Sequence, residues 1–200
     1  MSDTTKVTLS DGELAMAADK NIILTKRAVI ETSAALFNSL IPAINERFCN
    51  TISHIEKLSS SIPKITKGEN YNGFPYVILD YPALFEKENI FAIRTMFWWG
   101  NFISITLHLS GKYKKYFEKN ILKNLKNEND FFIAIAKTEW QHHFEEDNYK
   151  KISAINDGEM KTIQENNFIK IALKYELHHW NLMQSILPEG YKKINGLLMA

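Results

Sequence analysis

Apolar residues recur at helical spacing from Lys20 to about Ile52, at Ile23, Ala28, Ile30, Ala34, Phe37, Leu40, Ile44 and Phe48, which predicts a long amphipathic helix. Pro42 lies inside that run and predicts a kink or a division near Leu40. Ahead of it, Ser10 is placed to cap a short first helix, with Glu13 three residues on to complete a capping box. From Leu58 to Asn72 the serines, Pro63 and Gly68 read as a loop.

The period then changes. Pro75 to Tyr81 is a short β-branched and aromatic run that ends at Pro82 and reads as a strand. Ile90–Trp99 and Phe102–Ser110 are two more, separated by Gly100-Asn101, a two-residue loop with glycine first that fits a type II′ hairpin turn. Gly111 opens a charged helix whose apolar side is Tyr113, Phe117, Ile121 and Leu125. Phe131–Thr138 is again strand-like. Near the C-terminus, Ile169, Ile171, Leu173 and Tyr175 alternate with Lys170 and Lys174, which suits an edge strand. A helix from His178 to Ile186 follows, and Pro188 starts a final helical turn. One long helix from Glu159 is the alternative, since Ile169, Leu173, Leu177 and Trp180 also form a helical stripe.

Helices first and consecutive strands afterwards predict an α+β fold, in which an antiparallel sheet of about four to five strands carries helices packed on it. Residues 1–200 form a single domain on this reading, with a helical part over 1–60 and a sheet-containing part over 74–200. Two hundred residues suffice to bury roughly 70% of the unfolded surface.

Charge removes whole classes of partner. The formal net charge is +1 and arginine occurs only at 27, 47 and 94, so neither nucleic acid nor an anionic membrane is expected. The single cysteine, Cys49, cannot form an internal disulfide and leaves no cysteine-based zinc site. No apolar run approaches the length of a membrane span and the N-terminus does not read as a signal peptide, so a cytoplasmic location is expected.

The block GENYNGFPYVILDYP, continued by FAIRTMFWWGNFISITLHLSG, resembles a segment of uncharacterised proteins of bacteroidete-type bacteria. The resemblance covers about a quarter of the chain. It implies a bacterial cytoplasmic origin and carries no activity and no functional residues.

Two places could hold chemistry. With Trp99 opposite Phe102, one hairpin face would carry Trp98, Ile103, Met96, Ile105, Leu107 and Leu109, with Arg94 as the one charged residue, opposite Leu107. An arginine there is either paired, with Asp80 as the candidate partner, or snorkels to solvent, or binds an anion at the floor of a pocket. The other face would carry Trp99, Phe102, Phe97, Ser104, Thr95, Thr106, Ile93 and His108, a mixture that could line a ligand cavity, face solvent or seat the helices. Arg94, Thr106, His108 and Trp99 are therefore the ligand-binding candidates. Trp98 and Trp99 must point to opposite sides of a strand, so one of them belongs to a second small core or to a partner surface.

The second place is WQHHFEEDNY, where His142, His143 and Glu146 are metal-ligand candidates. Helical spacing would let His142 reach toward Glu146, but adjacent histidines diverge in any geometry and no HExxH is present. Surface histidines in a polar loop are the simpler reading. No nucleophile elbow and no glycine-rich phosphate loop occur, and no cofactor is implied. The chain reads as a non-enzymatic binding or interaction protein that uses an aromatic-rich sheet to hold a protein or a small molecule, as a homo-oligomer or not. The alternative is a metal-assisted hydrolase built on the 142–147 segment.

Overall fold

A computed structural model describes residues 7–126 and 128–200. The elements in order are α1 (Asp11–Ala18), α2 (Lys20–Ile52), α3 (Glu56–Ser59), β1 (Lys64–Tyr71), β2 (Phe74–Phe85), β3 (Ile90–Trp98), β4 (Phe102–Ser110), α4 (Gly111–Leu125), β5 (Phe132–Ala134), β6 (Tyr149–Lys151), α5 (Asp157–Glu165), β7 (Phe168–Glu176) and α6 (Met183–Leu198), with a 3₁₀ segment at Leu177–Leu182. The strands form one sheet in the order β1-β2-β3-β4-β7-β5-β6, antiparallel at every pairing. The class is mixed helix and antiparallel sheet, with seven strands in place of the expected four to five.

The Ser10–Glu13 capping box forms as expected. Of the kink or division expected near Leu40, the division does not occur: α2 runs unbroken through Pro42. Proline costs about 3 kcal/mol in a helix interior. Phe37, Leu40, Ile44 and Phe48 are buried on both sides of it, and each is worth roughly 1.5–3 kcal/mol, so continuity wins.

Lys64–Tyr71, expected to be loop, is an edge strand. Lys64, Thr66, Lys67 and Glu69 are exposed along it, and such polar residues keep an edge from pairing with other chains. It is joined to β2 by Asn72-Gly73, both at positive φ, 50° and 87°, with Tyr71 opposite Phe74. That is the type I′ hairpin geometry. β2 continues past Pro82 through an irregularity between Asp80 and Ala83, where the missing N–H of proline is tolerated.

The β3–β4 turn holds three residues, not two: Trp98 pairs with Phe102. Gly100 sits in the middle at φ 71°, and the Asn101 N–H donates to the Trp98 carbonyl at 3.0 Å. The slip of one residue moves every β4 side chain to the opposite face from that expected. Its cause is hydrophobic. In the observed register Phe91, Ile93 and Phe97 share a face with Ile103, Ile105, Leu107 and Leu109, and this face packs with α2, α4 and α6 into the main core. The two-residue turn would have set Arg94 among these leucines and isoleucines.

β7 is an interior strand between β4 and β5, not an edge. The 3₁₀ segment takes the place of the expected helix start at His178, and α6 begins at Met183 and runs through Pro188. β5 covers only Phe132–Ala134.

Candidate functional site

Among the described residues no helix packs on the second face of the sheet. Neighbouring strands present Asp80, Arg94, Thr106 and Ala172 in one row and Ala92, His108 and Lys170 in the next. Residues 135–148 cross above them. The apolar floor consists of Ile78, Met96, Trp98 and Phe102, joined by Tyr71, Tyr76 and Phe144, and of Ala134, Tyr149, Phe168 and Ala172.

Asp80 and Arg94 are opposite each other in the register. Arg94 Nε donates to Asp80 Oδ1 at 2.7 Å and Nη2 to Oδ2 at 2.9 Å, while Nη1 lies 2.9 Å from His142 Nε2. A guanidinium only donates, so His142 Nε2 accepts and the ring proton sits on Nδ1. Burial, then the charges of Lys170 and Arg94, push the His142 pKa down to about 2. This imidazole is neutral throughout the physiological range.

Five further contacts hold the crossing segment down. Tyr71 Oη accepts from the backbone N–H groups of His142 and His143, at 2.6 and 3.2 Å. Lys170 Nζ donates to the Gln141 carbonyl. His108 Nε2 donates to Glu139 Oε2 at 2.9 Å. Trp140 sets its ring edge-on to His108, 5.8 Å between centroids. Burial lowers the His108 pKa, and the hydrogen bond to Glu139 opposes that shift.

Lys170 is 1% exposed and has a neutral carbonyl, not a carboxylate, as its hydrogen-bond acceptor. Its ammonium lies 5.4 Å above the Tyr149 ring. Burial and the nearby Arg94 push its pKa down to about 7, with Glu139 opposing. The Tyr149 phenol is raised well above its usual range by burial.

Beside this cluster opens a cleft of about 330 Å³. Asp80, Arg94 and His142 form its polar floor, and Tyr71, Tyr76 and Trp140 its aromatic walls. Lys64 stands at the rim. Trp140 is 56% exposed. Two cations, Lys64 and Arg94, against one carboxylate, Asp80, leave the lining with a surplus of one positive charge.

Of the ligand-binding candidates, Arg94, Thr106 and His108 thus share one face. The expected register had separated Arg94 from the other two. Trp99 lies on the opposite side, edge-on to Phe97 at 6.3 Å and packed against the main core. Trp98 takes the loop-covered face, so the two tryptophans do diverge. His142 and His143 are half-buried and do not form a surface pair. His143 Nδ1 is 3.8 Å from Asp147 Oδ1, and Glu146 is exposed. Among the described residues no three His, Cys, Asp or Glu side chains are grouped to hold a metal ion.

Sequence reasoning missed Tyr71, Glu139, Tyr149 and Lys170. The Asn72-Gly73 pair was the available signal for a hairpin that would have placed Tyr71. For Lys170 it was the near-continuous apolar run Phe168–Leu173, which marks a strand buried on both faces. Nothing local marks Glu139, which comes in on an irregular segment.

No helix is long and apolar enough to cross a membrane among the described residues. Compared with protein-family models, with curated proteins and with solved structures, the chain matches none.

Proposed function

We propose that the protein binds a small anion with a flat apolar body, of the aryl-carboxylate kind, in the cleft between Arg94 and Trp140. The observation that carries this is the meeting of a guanidinium and an aromatic wall in one cavity. Arg94 uses three of its five N–H bonds on Asp80 and His142, which leaves two for a ligand. Tyr71, Tyr76 and Trp140 supply flat apolar surface, and the lining carries surplus positive charge. Its volume lies at the small end of the range for ligand pockets. The role is recognition rather than turnover, because His142, the nearest titratable base, already accepts a hydrogen bond from Arg94. A bacterial cytoplasmic setting belongs to the same proposal. It is supported by the free Cys49 and by the resemblance of the Gly68–Gly111 block.

Thermal shift and calorimetric titration with benzoate test it. Inorganic phosphate serves as an anion without an apolar body, and benzyl alcohol as the body without charge. Benzoate should stabilise the protein saturably and the other two much less. The double variant Asp80→Asn/Arg94→Gln, which removes both charges and leaves two amides able to pair with each other, should lose the effect. Absence of benzoate stabilisation, or an equal effect in the double variant, removes the proposal.

A further inference from the structure

The N-terminal helices carry the largest run of apolar side chains left in solvent. α1 buries none of its residues, and the first buried position of α2 is Ile30. Val29 is the first residue of α2 to touch the core. The nine residues Lys20–Ala28 therefore extend about 13 Å ahead of the part that packs on it, with Lys26 tied to Glu69 of β1 along the way. Ile23 lies one heptad before Ile30 and two before Phe37, so the stripe that is core further along continues onto this overhang. Leu9, Leu14, Met16, Ile22, Ile23 and Leu24 are 43–61% exposed. A monomer seldom leaves so many large apolar side chains together in water.

The charges on this arm are balanced but segregated. Asp11, Glu13 and Asp19 lie in and just after α1, Glu13 and Asp19 also serving as helix caps. Lys20 and Arg27 lie on the first turns of α2 beside Lys26, which pairs with Glu69 of its own chain. A zero sum offers nothing to a polyanion or an anionic bilayer. An acidic helix followed by a basic one is, however, complementary to its own copy laid antiparallel, where each α1 meets the other chain's α2.

We infer that the arm formed by α1 and the first nine residues of α2 is a self-association surface, and that its occupant is the same arm of a second copy of this chain. Apolar contacts among Leu14, Met16, Ile23 and Leu24 form its centre. The acidic and basic segments fix the antiparallel direction.

Analytical ultracentrifugation of the full chain, over a concentration series, reads the outcome. Wild type should sediment with twice the mass of one chain. Leu14→Ser/Ile23→Ser should sediment as a monomer with an unchanged circular-dichroism spectrum, since both positions lie outside the core. Asp11→Lys/Glu13→Lys should weaken the dimer at least tenfold in dissociation constant, and more at low salt than at high. A wild type that stays monomeric at every concentration overturns the inference. So does a dimer that survives Leu14→Ser/Ile23→Ser, because it would use another face. Binding of the monomeric wild type to phosphatidylglycerol vesicles would overturn it in favour of a membrane surface.

Discussion

Arg94 and Asp80 face each other across β3 and β2 and are joined through both carboxylate oxygens, with the Asp80 side chain 11% and the Arg94 side chain 18% exposed. The value of such a pair lies less in its attraction than in the cost of breaking it. Arg94→Met leaves the Asp80 carboxylate nearly buried and unpaired, so it should destabilise by about 3–5 kcal/mol. Asp80→Leu/Arg94→Met should recover most of that loss, because two apolar side chains need no partner there. Urea unfolding of the single and double variants measures both. Additive losses would show that the two residues are not coupled.

Lys170 should make stability climb with pH from neutrality. Its folded pKa of about 7 lies below the ordinary lysine value of 10.5. Between those limits the unfolded chain binds more protons than the folded one, so stability rises with pH across that window and the penalty is complete below it. Lys170→Met should add a few kcal/mol at pH 7 and flatten the rise between pH 7 and 10. Equal slopes in wild type and variant would place the effect elsewhere.

His142 sets an acid limit. Its folded pKa of about 2 lies below the ordinary 6.5, so its contribution is complete above pH 6.5 and drains away as the pH falls toward 2. His142→Gln cannot charge in this way and should show a shallower acid limb in melting temperature between pH 6 and 4. A limb as steep as the wild type's would show that the imidazole does not drive it.

Tyr71→Phe removes the hydroxyl that accepts from His142 and His143 and leaves two backbone donors without their acceptor, at about 1–3 kcal/mol. Amide hydrogen exchange should accelerate within residues 135–148 and stay unchanged in β3 and β4. Uniform acceleration would mean that Tyr71 supports the whole fold rather than this segment.

Gly100→Val should cost about 1–3 kcal/mol, because a β-branched residue is strained at φ 71°. A Cβ at this position meets no atom within 4 Å, so the penalty is conformational. Gly100→Asn, which tolerates that region, should cost clearly less in thermal melts. Equal costs for the two substitutions would point to packing instead.

The elements legible in the sequence were the helices with an apolar stripe, α2 and α4, the capped α1, and the strands rich in apolar and β-branched residues, β2, β3, β4 and β7. β1 escaped because an edge strand needs polar residues, and Lys64–Tyr71 has only Ile65 and Tyr71 to mark it. Arg94 and its partner Asp80 could be singled out because a charge in an apolar strand must be matched. The site as a whole could not, since its composition depends on register. One residue more in the turn at Gly100 brings Arg94, Thr106 and His108 to the same side. Glu139 and His142 reach them on an irregular segment whose path is fixed by long-range contacts to Tyr71, His108 and Lys170.

The position of β7 bears on how the chain acquires its structure during synthesis. β4 ends at Ser110, but the strand that completes its other edge begins only at Phe168. A nascent chain that has emerged as far as Glu165 can zip β1 through β4 into a meander. It then holds Ile103, Ile105 and Leu107 along an open border, while β5 has no neighbour but the three-residue β6. Such a border is a template for other nascent chains. Truncation before residue 168 should therefore yield insoluble protein rather than a smaller folded unit, and the segment from Phe168 onward acts as the keystone of the sheet.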